Sequence, residues 1–232
     1  FRSPNIVLII GESFNRHHSS QYGYVMPTTP RQQKLERQGR LVKYTDVVSP
    51  RNLTSFVFKH LFSLYCVGDK GDGATSLFPE VFRSAGYHVT FLTNQFLPKA
   101  KEAVYDFSGG FFLNNPTLSA AQFDTRNTEV HKYDDGLLSD YDQIADSTAK
   151  NRGNLYIFHL LVSIAYRDRY PQAHHFYASD YEERRPELSA KQRKMVSYYD
   201  NAVLYNIIVD AICHRFDNQD AIVIYMPDHG EE

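Results

Sequence analysis

Two short apolar segments near opposite ends of the chain constrain its fold more than any other sequence feature. Residues 5–10 and 221–226 are rich in isoleucine and valine, which is typical of strands buried on both faces of a sheet. The first segment runs almost directly into Glu12, and the second ends just before Asp228 and His229. Ligands of open α/β sheets bind at the carboxyl ends of the strands. We therefore expect these three side chains to meet at one site.

Further strand and helix patterns alternate between these two segments. Strand patterns occupy residues 41–48, 88–94 and 155–160. Helical patterns occupy residues 31–40, 56–64, 77–85, 134–149 and 189–215. Strands that alternate with helices indicate parallel pairing, with helices on both faces of the sheet. The sequence therefore predicts a three-layer α/β/α sandwich with a mostly parallel central sheet, as a single domain over residues 1–232.

The composition is that of an ordinary globular domain and narrows the possible partners. With 232 residues and 42% hydrophobic content, the chain is long enough to bury a large core. Its formal net charge of −2 gives no electrostatic reason to expect nucleic acid as a partner. No apolar run reaches the length of a transmembrane helix. Two cysteines, Cys66 and Cys213, exclude a disulfide-rich scaffold, and whether they pair stays open.

Glu12, Asp228 and His229 together form a candidate metal site. Carboxylate oxygens and an imidazole, without a thiolate, suit zinc or manganese, and a catalytic site leaves one coordination position open for substrate. Taken singly, each residue favours a plainer interpretation: Glu12 as a cap of the following helix, and His229 as a hydrogen-bonded loop histidine. Their joint placement at two strand ends favours the metal site.

Thr54 is the candidate nucleophile, because it stands where the helical pattern of residues 56–64 begins. A threonine hydroxyl is inert at its ordinary pKa, but a directly bound zinc ion can lower that pKa. The backbone N–H groups at a helix start also favour a phosphate group held there. On position alone the more common role is that of an N-cap. The nucleophile hypothesis therefore depends on the rest of the chain.

Four segments, in chain order, resemble motifs of the phosphoethanolamine transferases, membrane-anchored members of the alkaline phosphatase and sulfatase superfamily. They are Ile-Ile-Gly-Glu-Ser at residues 9–13, a nucleophile segment at 47–63, a Tyr-Asp-Asn helix at 199–205 and Asp-His-Gly-Glu at 228–231. In this family a threonine precedes a helix that ends in Phe-Ser, and residues 62 and 63 match that ending. The alignment places the family's threonine on Thr54.

The resemblance implies an alkaline phosphatase-like fold and a zinc-dependent transferase. Such an enzyme takes phosphoethanolamine from phosphatidylethanolamine through a phospho-threonine intermediate and passes it to a lipopolysaccharide, at lipid A or a core sugar, or to another glycan. Thr54 would be the nucleophile. One zinc ion is expected, with a second possible, and the resemblance assigns its ligands to Glu12, Thr54, Asp228 and His229.

Two further polar residues near the second predicted strand are candidate substrate contacts. Asn94 follows that strand, as in the family, and Lys99 lies nearby. The resemblance implies that both contact the phosphoethanolamine group. The alternative for each of them is a surface polar residue with no role in binding.

The chain departs from the family pattern at several places. Pro50 and His60 stand where family members usually carry cysteines that flank the nucleophile segment. After His159 there is no second histidine before residues 169–171, and the family continues beyond Glu232 to another histidine. We expect that the chain lacks an N-terminal membrane domain and C-terminal residues. The resemblance implies a soluble catalytic domain that faces the periplasm from the bacterial inner membrane.

Two other functions stay open on this sequence. A phosphoglycerol transferase or phosphodiesterase of the same superfamily would use the same metal and nucleophile on a different head group. A non-catalytic glycan- or lipid-binding module could retain the fold and lack the chemistry, and the absent histidine motif favours it. A sulfatase is less favoured, because no Cys or Ser stands in the Cys/Ser-x-Pro-x-Arg context of a formylglycine precursor.

The other histidines are assigned plainer roles. His159 follows a buried strand and is interpreted as a packed, hydrogen-bonded residue rather than a ligand. The rest lie on predicted loops or helix surfaces, where most are expected to be solvated: His17, His18, His60, His88, His131, His174, His175 and His214.

Overall fold

A five-stranded parallel sheet forms the centre of the computed structural model. The structure describes residues 3–64, 76–95, 97, 112–145, 153–161, 175–205 and 207–230. The strands are β1 (Asn5–Gly11), β2 (His88–Thr93), β3 (Thr125–Arg126), β4 (Asn154–His159) and β5 (Ala221–Pro227). Their order across the sheet is β3-β2-β4-β1-β5, and every pair is parallel. The two segments near opposite ends of the chain are therefore adjacent strands.

Seven α-helices lie within the described ranges. They are α1 (Pro30–Arg37), α2 (Thr54–Phe62), α3 (Phe78–Ser84), α4 (Pro116–Gln122), α5 (Gly136–Ala145), α6 (Ala190–Tyr205) and α7 (Ile207–Phe216). The helical patterns predicted from the sequence correspond to α1, α2, α3 and α5, and α6 and α7 together cover the last of them. The short elements α4 and β3 were not predicted. Among the described residues, no helix combines the length and the apolar character needed to span a lipid bilayer.

Alternate residues of β1 supply two separate hydrophobic cores, as the two-residue period of a strand requires. Val7 and Ile9 pack in one core, with residues of α5 and α7. Leu8 and Ile10 pack in the other, with residues of α2 and neighbours from α3 and α4. Helices therefore cover both faces of the parallel sheet, and the predicted three-layer α/β/α class is confirmed.

The predicted strand over residues 41–48 is wrong. The structure describes this whole segment and contains no strand there. Val42, Tyr44 and Val48 are 79%, 72% and 83% exposed, so the loose alternation of apolar residues has no buried face. The segment is an irregular surface connection, and Arg16 donates to the carbonyl of Thr45 in it at 2.7 Å.

Candidate metal centre

The register of β1 and β5 brings the two ends of the chain together at the carboxyl edge of the sheet. Gly11 pairs with Pro227, and the backbone N–H of Asp228 donates to the carbonyl of Gly11 at 2.9 Å. Glu12 and Asp228 therefore leave the sheet side by side. A Cβ atom at Gly11 would lie 2.9 Å from the hydroxyl of Tyr225, so a larger residue there would require that side chain to move.

Glu12, Asp228 and His229 form a cluster whose ligand atoms all lie within 4.8 Å of one another. Nε2 of His229 is 3.3 Å from Oε1 of Glu12 and 3.3 Å from Oδ2 of Asp228. Nδ1 of His229 is 2.9 Å from the carbonyl of Gly230, so in the neutral imidazole Nδ1–H can donate there and leave the Nε2 lone pair facing the cluster. The structure thus brings together the three residues that the strand ends predicted.

Thr54 joins this cluster from the first turn of α2. Its hydroxyl lies 3.1 Å from Oε2 of Glu12 and 3.4 Å from Nε2 of His229. The N-cap of α2 is Leu53, so the capping alternative for Thr54 is wrong. The capping alternative for Glu12 is also wrong, because Asn15 caps the next helical turn with its own side chain.

Burial and close mutual contacts shift the pKa of each ionisable group in the cluster. Burial raises the pKa of Asp228, and the carboxylate of Glu12 raises it further. Burial also opposes ionisation of Glu12, but hydrogen bonds from His229 and Gln95 outweigh it and lower the pKa of Glu12. Burial likewise opposes protonation of His229, yet its hydrogen bond to Glu12 and the charge of Asp228 raise its pKa. Two carboxylates therefore share a buried site, which a divalent ion would stabilise.

The geometry of the cluster fits zinc. Oδ2 of Asp228 is buried and has no hydrogen-bond partner among the described residues, as expected of an oxygen reserved for a metal. Ligands bound tetrahedrally at roughly 2.0–2.1 Å from zinc are separated by about 3.4 Å. Oε1 of Glu12 is 3.3 Å from both Oγ1 of Thr54 and Nε2 of His229, and Nε2 is 3.4 Å from Thr54 and 3.3 Å from Asp228, so these four distances are close to this value.

Sequence reasoning missed Gln95, which lies against the same cluster and is 1% exposed. Its side-chain amide donates to Oε2 of Glu12 at 2.8 Å and to the carbonyl of Leu160 at 2.8 Å. The signal that could have found it is its position just after β2, at the same edge of the sheet as Glu12.

His159 is the packed, hydrogen-bonded histidine that the sequence predicted. It is fully buried, its Nδ1 is 3.0 Å from the hydroxyl of Thr93, and its ring packs against Phe58. Burial lowers the pKa of His159 to about 4. His18 is not one of the solvated histidines. Its side chain is 21% exposed, and its Nδ1 lies 2.6 Å from the buried carboxylate of Asp200.

The two predicted substrate contacts have different outcomes. Asn94 is 2% exposed, donates to Asp134 at 2.8 Å and accepts from the backbone N–H of His131 at 2.6 Å. Its contact with a substrate head group stays a prediction. Lys99 lies outside the described residues, as does Cys66. Cys213 has a free thiol, and burial raises its pKa to about 11.

The family model described as Sulfatase matches residues 4–232, and the chain therefore belongs to the sulfatase family. Within that family it is similar to the phosphoethanolamine transferases, as its motifs predicted. It is 28% identical to phosphoethanolamine transferase EptC of Escherichia coli K12, over 98% of this chain and 39% of that protein. It is also 28% identical to phosphoethanolamine transferase EptA of Helicobacter pylori, over 99% of this chain and 43% of that protein. The chain thus spans about two fifths of the length of these relatives.

Solved structures of phosphoethanolamine transferase domains have a similar fold. The C-terminal periplasmic domain of Escherichia coli EptC superposes with a TM-score of 0.81 at 26% identity, over 100% of this chain and 65% of that one. The structure of the same Escherichia coli domain in complex with zinc superposes with a TM-score of 0.77 at 24% identity, over 100% of this chain and 65% of that one. The soluble domain of lipooligosaccharide phosphoethanolamine transferase A from Neisseria meningitidis has a TM-score of 0.70 at 24% identity, over 99% of this chain and 68% of that one.

Proposed function

We propose that this chain is the catalytic domain of a zinc-dependent phosphoethanolamine transferase. The observation that carries the proposal is the position of the Thr54 hydroxyl, 3.1 Å from Glu12 and 3.4 Å from His229. A threonine at the start of a helix normally caps it or faces solvent. Here the hydroxyl is instead within hydrogen-bond distance of a carboxylate and an imidazole, which is the arrangement needed to activate a nucleophile.

One zinc ion would be held by Glu12, Asp228, His229 and Thr54, with a second ion possible. When bound, zinc would lower the pKa of the hydroxyl and offset the negative charge that grows on the phosphoryl oxygens. The protein supplies the orientation. The Ser13 hydroxyl donates to Oε1 of Glu12 at 2.9 Å, and Gln95 donates to Oε2, so that the carboxylate is held from both sides.

In the proposed reaction the Oγ1 atom of Thr54 attacks the phosphodiester phosphorus of phosphatidylethanolamine. The bond from phosphorus to the glycerol oxygen breaks, and diacylglycerol leaves with the proton that the hydroxyl gave up. The product is a phosphoethanolamine ester of Thr54. A hydroxyl or phosphate of the acceptor then attacks the same phosphorus, and the threonine hydroxyl is regenerated.

The names of the relatives support transfer of phosphoethanolamine, a glycolipid acceptor and a periplasmic location. The matching proteins are named phosphoethanolamine transferases, and the Neisseria protein acts on lipooligosaccharide. We propose phosphatidylethanolamine as donor, a lipopolysaccharide or other glycan as acceptor, and a periplasmic face of the inner membrane as location. We further propose that residues 1–232 are one catalytic domain of a longer, membrane-anchored protein.

Asn94 and Lys99 remain candidates for the contact with the phosphoethanolamine group. Asn94 lies at the correct edge of the sheet, but its amide already bonds Asp134 and His131. A direct contact predicts that Asn94→Ala raises KM for the lipid while zinc affinity is unchanged. A purely structural role predicts loss of stability instead, measured by thermal unfolding.

Head-group labelling tests the assignment of the nucleophile. Incubation of the zinc-loaded chain with phosphatidylethanolamine labelled in ethanolamine should give one labelled peptide that contains Thr54. Thr54→Ala should fold and form no labelled protein, whereas Thr54→Ser, which keeps a hydroxyl, should still be labelled. Label on another residue of the wild type would refute the assignment.

The same assay separates the alternative head group. Phosphatidylglycerol labelled in its head group is offered beside phosphatidylethanolamine at equal concentration. Preferential labelling from phosphatidylglycerol would favour the phosphoglycerol transferase. Stoichiometric zinc without label from either lipid would favour the non-catalytic binding module.

A further inference from the structure

Ser13 connects the two acidic residues of the metal centre. Its backbone N–H donates to Oδ1 of Asp228 at 3.0 Å, and its hydroxyl donates to Oε1 of Glu12 at 2.9 Å. It is 5% exposed and lies between the two carboxylates in the chain fold. The orientation of Ser13 therefore decides whether both carboxylates face the same point.

The backbone of Ser13 is in the left-handed region, with a φ of 51°. It is the only non-glycine residue with a positive φ among the described residues. This conformation costs an L-residue about 1–2 kcal/mol and persists only where surrounding contacts enforce it. An interaction that holds Ser13 in place is therefore required.

The hydroxyl of Tyr199 makes that interaction. It donates to the carbonyl of Ser13 at 2.6 Å and accepts from the backbone N–H of Asn15 at 2.8 Å. These two bonds fix the peptide groups that follow Ser13. Tyr199 is itself 4% exposed and packs with Phe14 and Val203, so its hydroxyl has a rigid support.

We propose that Tyr199 is a positioning residue of the metal centre, which acts by holding Ser13 in its left-handed conformation. This inference rests on the proposed function only in naming zinc as the ion. It also gives a role to the Tyr-Asp-Asn motif, since the tyrosine of that motif reaches the Glu12 loop from α6. The Tyr199 hydroxyl bonds the backbone of the loop that follows Glu12 and acts on the ligands through that loop.

Tyr181 offers a matched control. Its hydroxyl is also buried and donates to Oδ2 of Asp200 at 2.6 Å. Asp200 follows Tyr199 in α6. Tyr181→Phe therefore removes a buried hydroxyl that contacts α6 one residue away from Tyr199. It does not touch the loop that contains Glu12 and Ser13, and it should leave zinc binding unchanged.

The experiment compares Tyr199→Phe with Tyr181→Phe in the whole 232-residue chain. We expect Tyr199→Phe to raise the Kd for zinc about tenfold, the lower end of effects measured for residues that support metal ligands. Tyr181→Phe should change it by less than about twofold, since it supports no ligand. In the metal-free protein, the amide of Ser13 should exchange with solvent faster in Tyr199→Phe and at the wild-type rate in Tyr181→Phe.

Two results would overturn the proposal. One is a wild-type Kd together with a wild-type exchange rate at Ser13 in Tyr199→Phe. The other is an equal loss in both variants, which would indicate general destabilisation. If the wild type itself binds no zinc, the proposed function fails, and amide exchange in the metal-free protein still decides the role of Tyr199.

Discussion

Two buried aspartates of this protein differ in how their charge is compensated. Asp200 is fully buried, and three side chains bond its carboxylate: His18 at 2.6 Å, Tyr24 at 2.7 Å and Tyr181 at 2.6 Å. Asp228 is 1% exposed, and backbone N–H groups bond its Oδ1, but its Oδ2 accepts no hydrogen bond from the described residues and lies 3.3 Å from Nε2 of His229.

The difference separates a structural acid from a functional one. A buried carboxylate that is fully hydrogen-bonded stabilises the fold around it, whereas one that keeps an unbonded oxygen beside a second carboxylate destabilises it. Natural proteins retain such a cost at functional sites. We therefore assign Asp200 to the architecture of α6 and Asp228 to the proposed zinc site.

The largest expected effect is that of zinc on stability. Zinc at 1,000 times its Kd should raise the free energy of unfolding by about 4 kcal/mol, because it binds the folded state. Asp228→Asn should remove most of that gain while the metal-free variant stays as stable as the wild type or becomes more stable. Urea unfolding with zinc or with a chelator measures both quantities. A full zinc effect in Asp228→Asn would contradict the assignment.

A third buried ionisable group, His159, differs from both aspartates because it should make the free energy of unfolding depend on pH. Burial lowers its folded pKa from 6.5 to about 4. Below pH 6.5 the unfolded chain binds a proton at this histidine and the folded chain does not. The free energy of unfolding therefore falls as the pH drops from 6.5 towards 4, and above pH 6.5 this histidine does not change it. The loss amounts to roughly 3 kcal/mol.

The measurement is the free energy of unfolding of the metal-free protein between pH 7 and pH 4. His159→Gln should reduce the slope over that range, while His17→Gln, a change at an exposed histidine, should leave it as in the wild type. An unchanged slope in His159→Gln would mean that other groups account for the acid sensitivity.

The smallest effect expected is that of Asp200→Asn. The variant keeps the shape of the side chain and weakens its charged hydrogen bonds, so the free energy of unfolding should fall by roughly 2 kcal/mol. The gain on adding zinc should remain that of the wild type. Loss of the zinc effect in Asp200→Asn would remove the distinction between the two aspartates.

Different parts of the site could be predicted from the sequence to different degrees. Glu12, Asp228 and His229 follow from the strand patterns, because parallel strands end at one edge. Thr54 required the resemblance to a family, since on position alone it is an N-cap. The contact of Gln95 with Glu12 depends on β1 and β2 lying on either side of β4. Local patterns do not encode this strand order.

The same limit explains the features that the sequence did not predict correctly. The left-handed conformation of Ser13 is imposed by Tyr199, 186 residues away, and has no local signal. The segment 41–48 carries β-branched residues, but none of the strands in the described ranges lies beside it to bury them. Local propensity therefore predicted the sheet centre well, and long-range contacts decided the rest.

The central claim is that one zinc ion is held between the two ends of the chain and Thr54. Crystals of the chain grown with zinc and measured at the zinc absorption edge test it most directly. We predict one anomalous peak about 2.0–2.2 Å from ligand atoms of Glu12, Asp228 and His229, next to the Thr54 hydroxyl. No peak at this position, or these four side chains too far apart to share an ion, would contradict it.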